Sequence, residues 1–256
     1  MPIRAFGVSD AGRVRKSNED KFVSEPALGL FAVADGMGGH KAGEVAAQLA
    51  IESVTTFVSR SADDDDVTWP YGIDDSLSFE ANRLRTAIFL ANRKVFRVAE
   101  SSDDYGGMGT TIVCVLMSGV RAAIGSVGDS RVYLFSGGRL EQLTKDDSWA
   151  ATILAQDPKI RPQDIETHPM RNVLTNVLGN RPDILVRVTE RDLAPGDVLL
   201  LSSDGMHGVL DASAIEGVLA AHADVNQAAQ ALVNRAIEAG SRDNVTALVV
   251  RYEEDQ

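Results

Sequence analysis

The stretch Gly29-Leu30-Phe31-Ala32-Val33-Ala34-Asp35-Gly36 decides how this chain is read. Five apolar residues run without the polar alternation of a half-wet strand and stop at Asp-Gly. The run is too short for a helix and is bounded by glycines, which predicts a buried strand ending in a turn. The same grammar recurs at 111–117 (TIVCVLM), 121–127 (RAAIGSV), 198–202 (VLLLS) and 246–252 (TALVVRY). Residues 131–135 and 139–143 are separated by Ser136-Gly137-Gly138, which predicts a hairpin, because glycine accepts the positive φ of a tight turn.

Outside these strands, three segments carry helical periodicity. Ala46, Leu49, Ala50, Ser53 and Phe57 share one face. So do Leu84, Ile88, Ala91, Val95 and Val98, and so do Val225, Ala228, Ala229, Leu232, Ala236 and Ala239. The order is strands, two helices, a run of strands, then mixed elements. It does not alternate strand and helix, so a parallel doubly wound sheet is disfavoured and an antiparallel, layered α+β domain is expected. No internal repeat is visible. The segment 145–182 holds Pro158, Pro162, Pro169 and Pro182 with short helical pieces between them, as expected of an insertion lying over a functional face. Four consecutive aspartates, Asp63 to Asp66, read as a solvated loop between the first two helices.

Composition narrows the function. The chain has 256 residues, 44% hydrophobic and 24% charged, with 25 basic against 37 acidic side chains and a formal charge of −12. That sign disfavours nucleic acid and anionic membranes as partners, since both need Lys and Arg at the surface. The one cysteine, Cys114, lies in an apolar run and reads as a buried core thiol. No secretory leader is evident and no apolar run approaches the ~20 residues that span a bilayer, so a cytoplasmic protein is expected.

Five acidic sites stand at the ends of apolar strands, beside Gly or Asn: Asp35-Gly36, Gly128-Asp129, Asp204-Gly205, Asp243-Asn244 and Asn18-Glu19-Asp20. Each alone is an ordinary turn or cap. Together, on one rim of a layered sheet structure, they would repel one another unless cations intervened. Hard divalent ions with oxygen ligands, Mg²⁺ or Mn²⁺, suit such a set, and paired Cys or His at zinc spacing is absent. Gly36 would let a backbone carbonyl approach an ion. Two adjacent ions sharing an aspartate would lower the pKa of a bridging water and clamp a phosphoryl group for in-line displacement. Arg15 is the nearest basic side chain in sequence and a candidate for the substrate phosphate.

Six short motifs then fall in order. They are Gly12-x-x-Arg15-x-x-Asn18-Glu19-Asp20, Ala34-Asp35-Gly36-Met37-Gly38-Gly39-His40, Gly109-Thr110-Thr111, Gly128-Asp129-Ser130-Arg131, Ser203-Asp204-Gly205 and Asp243-Asn244-Val245-Thr246. On these motifs the chain resembles the PPM family, the metal-dependent type 2C Ser/Thr protein phosphatases, in its single-domain bacterial form. The resemblance implies one catalytic domain over 1–256, built as a β-sandwich of two antiparallel sheets with helices on both outer faces. It implies that Asp35, the Gly36 carbonyl, Asp204 and Asp243 bind two core Mn²⁺ or Mg²⁺ ions. Glu19 and Asp20 would act through water or from behind the ligands, Asp129 would serve a weaker third ion, and Arg15 would hold the phosphate. Segment 145–182 would be the family's flap. The implied activity is hydrolysis of phosphoserine and phosphothreonine by a monomer, with no phosphoenzyme, opposite a cognate Ser/Thr kinase.

The chain departs from the family pattern at three points. Met37 stands where eukaryotic members often carry a histidine proposed as the acid for the leaving group, which makes His40 a candidate acid or a helix cap. A histidine usual in the flap near Asp147 is missing. The run Asp63 to Asp66 looks like an insertion. Three other readings stay open on the sequence: a non-catalytic phosphoprotein binder, a phosphatase dedicated to one protein, and a metal-stabilised structural domain.

Overall fold

The computed structural model describes residues 3–39, 41–62, 68–157, 159–165 and 168–253. The strands are β1 Ile3–Asp10, β2 Asp20–Glu25, β3 Leu30–Met37, β4 Gly109–Thr110, β5 Ile112–Ser118, β6 Arg121–Val127, β7 Arg131–Ser136, β8 Arg139–Gln142, β9 Arg187–Asp192, β10 Val198–Ser202 and β11 Val245–Tyr252. The helices are α1 Ala42–Arg60, α2 Phe79–Ser101, α3 Trp149–Gln156, α4 Pro162–Ile165, α5 Asp204–His207, α6 Ala212–Ala221 and α7 Val225–Glu238.

The strands form two sheets, ordered β1-β11-β10-β7-β8 and β2-β3-β5-β6-β9, with β4 paired to β3. Every pairing is antiparallel. The two sheets face each other through Phe31, Val33, Val113, Val115, Leu199, Leu201, Leu248 and Val250. The alternate residues point outward: Leu30, Ala32, Cys114 and Leu116 meet α1 and α2, while Leu200, Ala247 and Val249 meet α6 and α7. This is the α-β-β-α sandwich, and it accounts for the sequence runs. Central strands of an antiparallel sheet covered on both faces need apolar residues at every position. At about 1.5–3 kcal/mol per fully buried apolar side chain, the layer between the sheets outweighs any single polar contact, so sheet packing sets where the strand ends lie. Burial also pushes the Cys114 thiol up, keeping it inert.

The structure shifts some helix faces. In α1 the buried positions are Ala42, Gly43, Ala46, Ala47, Ala50, Ile51, Val54 and Val58, with Leu49 and Phe57 only partly covered. The stripe is displaced because α1 packs against β3 on one side and α2 on another. Ala239 is not on the α7 face: the helix ends at Glu238, Ala239 is exposed, and Gly240 turns the chain away at φ +90°. The edge strands β1 and β9, and helix α6, gave no clear sequence signal. Residues 63–66, read as a loop, lie outside the described residues. Among the described residues no helix is long and apolar enough to cross a membrane.

Close helix-to-sheet approach depends on Gly125 in β6. A Cβ there would sit 2.5 Å from Ile88 Cδ1 and 3.3 Å from the Leu84 side chain, both on α2. Replacing Gly125 with valine should therefore wedge α2 off the sheet. We expect a loss of about 1–3 kcal/mol, read as a lower urea midpoint with an unchanged slope.

Candidate functional site

The strand-end carboxylates meet where the two sheets end together. Asp35 sits near the end of β3 and lies directly across from Asp20, the first residue of β2. Asp129 follows β6 after Gly128, whose φ of +99° turns the chain. Asp204 follows β10 and opens α5, and Asp243 precedes β11. Asp35, Asp129, Asp204, Asp243, Glu19, Gly36 and Arg15 line one pocket of about 210 Å³, together with Met37, Thr111, Asn172, Leu174 and Asn244. A second cavity of about 470 Å³ adjoins it, sharing Asp129, Asn172 and Asp204.

Asp20 does not line the pocket but is buried behind it. Its Oδ2 accepts hydrogen bonds from Ser203 Oγ (2.7 Å) and Thr246 Oγ1 (2.6 Å), which joins β2 to β10 and β11. Its Oδ1 and the Oδ1 of Asp204 are buried with no hydrogen-bond partner. Two orphaned acceptor oxygens beneath a carboxylate-lined pocket are costly unless a cation satisfies them. The donor set is entirely oxygen, which fits Mg²⁺ or Mn²⁺. Among the described residues no three His, Cys, Asp or Glu side chains converge at ligating distance. An ion here would draw part of its shell from the Gly36 carbonyl and from water, as Mg²⁺ ordinarily does.

The backbone around the pocket is tightly held. Asn244 accepts from Glu19 N (2.8 Å) and donates to the carbonyls of Ala11 (3.1 Å) and Ser17 (2.9 Å), fixing the loop that carries Arg15. The Thr111 hydroxyl accepts from Asp35 N (3.1 Å) and shares a hydrogen bond with Ser130 Oγ (2.7 Å), tying β3 to the Asp129 turn. At Gly36 a Cβ would collide with the carbonyl oxygen of Gly43, so only glycine lets that backbone into the site. The local sequence marks Asn244 and Thr111 as motif members. What it hides is that Ser203 and Thr246, remote in sequence from Asp20, are its partners.

Arg15 Nη2 donates to Asp243 Oδ2 at 2.7 Å. That bond, more than the general field of Glu19 and Asp35, raises the guanidinium's pKa. His40 lies outside the described residues. The described histidines do not line the carboxylate pocket: His168 stacks on Trp149 at 4.3 Å, and His207 lines the adjoining cavity with its Nδ1 3.1 Å from Ser202 Oγ. Met37 does line the pocket and has no proton to give.

Burial and mutual repulsion push the acids up. Asp35, buried and surrounded by Asp20, Asp204, Asp129 and Asp243, is held well above the usual carboxylate range. Asp20 is raised to about 6, first by burial, against the opposing effect of Thr246 and Ser203. Asp129 is raised to about 7 by burial and by Asp204. Asp204 and Glu19 also rise, mainly through burial.

A model of the family described as "Protein phosphatase 2C" matches residues 12–246. The chain belongs to the protein phosphatase 2C family. It is similar to the Mycobacterium tuberculosis serine/threonine protein phosphatase PstP, 36% identical over 97% of this chain, and it spans 45% of that protein's length. It is 32% identical to the Listeria welshimeri serine/threonine phosphatase stp, over 94% of this chain and 93% of the relative. Among solved structures, M. tuberculosis PstP/Ppp superposes with a TM-score of 0.84 at 34% identity, over 98% of this chain and 99% of that one. The catalytic domain of PstP, solved in complex with two manganese ions, aligns with a TM-score of 0.81 at 34% identity, over 98% and 99% of the two chains.

The raised acids give a signed expectation for the metal-free protein. The folded state keeps protons that the unfolded chain, with ordinary Asp values near 3.8, has already released. The contribution of Asp20 and Asp129 to stability should then fall as pH rises from about 4 to about 7. Melting scans of EDTA-treated protein should show this decline, and saturating Mn²⁺ should remove most of it.

Proposed function

We propose that this chain hydrolyses phosphoserine and phosphothreonine in proteins, with two Mn²⁺ or Mg²⁺ ions at Asp35, the Gly36 carbonyl, Asp204 and Asp243. The observation that carries the reading is the carboxylate-lined pocket with the orphaned oxygens of Asp20 and Asp204 at its base. The two-manganese complex of the PstP catalytic domain supports the stoichiometry. When bound, the cations supply charge neutralisation and an activated water for in-line attack, so no protein nucleophile is needed.

The chain's own residues prepare that chemistry. Asp20, clamped by Ser203 and Thr246, sits behind Asp35 and Asp204 and sets their spacing. Glu19 and Asp20 act through water or from behind the ligands, and Asp129 serves a weaker third ion. Arg15 stands at the rim, anchored to Asp243. Were Asp243 to hold a cation, the Arg15 guanidinium would be available to grip a phosphate bidentately. The leaving-group acid is His40 or water, since Met37 cannot donate. The same reading makes the chain one catalytic domain, a cytoplasmic monomer that opposes a Ser/Thr kinase.

Asp35→Asn and Asp204→Asn should each lower Mn²⁺-dependent turnover of an aryl phosphate by on the order of a thousandfold. Full retention in either variant would sink the metal assignment. Arg15→Ala should raise KM for phosphothreonine peptides about tenfold or more, given the ~1.5–3 kcal/mol of a hydrogen bond to a charged group. A phosphotyrosine peptide assayed alongside should turn over far more slowly; equal rates would overturn the substrate class.

A further inference from the structure

Between β8 and β9 the chain leaves the sandwich as a two-legged flap. Its legs are pinned together: Trp149 N donates to Val173 O (2.8 Å), and Ser148 bridges Leu174. From this flap Asn172 and Leu174 wall the carboxylate pocket, while Ala150, Leu154, Ile165 and Arg171 wall the adjoining cavity. A phosphorylated residue seated in the pocket would lie beside these flap residues.

The root of the flap converges on one buried carboxylate outside the pocket. Asp147 is 4% exposed and meets four groups from three parts of the fold. Its carboxylate accepts from Arg187 Nε (3.1 Å) and Nη2 (2.9 Å) on β9, and from Asn176 Nδ2 (2.7 Å) on the returning leg. It also accepts from Gly128 N (3.3 Å), and Asp147 N returns a bond to Gly128 O (2.9 Å). Its carbonyl accepts from Thr175 N (2.8 Å) and Oγ1 (3.0 Å). Gly128 cannot adjust easily: its φ is +99° and a Cβ there would clash with Thr111. The next residue is Asp129. One carboxylate therefore locks both flap legs to the turn that carries a pocket aspartate. Such a carboxylate is needlessly costly for mere loop closure, because a buried charge is tolerated only when fully paired.

We propose that Asp147, charge-paired by Arg187 and braced by Asn176, is a positioning residue that fixes the flap against the Asp129 turn so that the flap can hold a phosphopeptide chain. This rests on the phosphopeptide reading above. A small aryl phosphate carries no flanking chain to lie along the flap, so the two substrates separate positioning from chemistry. They also separate this inference from that reading, which fails if wild-type protein is inert to aryl phosphate with Mn²⁺.

The experiment compares wild type with Arg187→Met, Arg187→Lys and Asn176→Ala, with Mn²⁺ present, on a phosphothreonine peptide and on an aryl phosphate. Arg187→Met should raise KM for the peptide about fivefold to twentyfold while kcat/KM for the aryl phosphate stays within about twofold. Hydrogen exchange should quicken across 148–175, and Arg187→Lys should recover part of the peptide KM. If Arg187→Met does not fold, Asn176→Ala, which removes one bond to the same carboxylate, should show the same split at smaller size. Parallel loss on both substrates, or unchanged peptide KM with faster flap exchange, would overturn the proposal.

Discussion

Mutual repulsion among Asp35, Asp129, Asp204 and Asp243, with Asp20 buried behind them, is the constraint around which the rest of the structure is arranged. Nothing about a sandwich core requires acids at these strand ends. Their charge is tolerated because the two sheets are locked by a continuous apolar layer of Phe31, Val33, Val115, Leu201 and Val250. The stability of that layer lets the rim carry groups whose ionisation opposes folding. Divalent cations are the physical remedy that such an all-oxygen donor set invites.

The arrangement is held from behind by neutral donors. Ser203 and Thr246 give Asp20 two hydrogen bonds across the sheets, and Thr111 fixes the backbone of Asp35. Hydroxyls orient a carboxylate without neutralising it. Arginine is used sparingly. Arg15 sits at the rim, and Arg131 is tied to Asp146 at 2.7 Å beside the pocket rather than in it. A guanidinium deeper in the site would compete with any cation bound there.

Much of this was legible in the sequence, for a physical reason. Strands covered on both faces, such as those around Phe31, Cys114 and Leu200, must be apolar throughout, and their ends at Asp-Gly or Asp-Asn are conspicuous. The edge strands were not legible. β9 reads RVTERD and is half exposed, so its pattern resembles a polar loop. The face of α1 was only partly visible, since contacts on two sides blur a single stripe. Within the site, the acids that line the pocket could be named from local motifs. The pairing of Asp20 with Ser203 and Thr246, and of Asp147 with Arg187, could not, because those contacts are set by how the sheets stack and where the flap returns.

The central claim is the proposal that the strand-end acids, with Asp35 and Asp204 held above the usual carboxylate range chiefly by burial, are the seats of the cations. Proton release on Mn²⁺ binding tests it most directly. Metal-free protein is titrated with Mn²⁺ at pH about 6.5 in buffers of different ionisation enthalpy, and the heat is read as protons exchanged per ion. The account predicts two ions bound and at least one proton released, with release fading as pH rises towards about 8. Tight binding with no proton release at any pH, or no binding at this pocket, would contradict it.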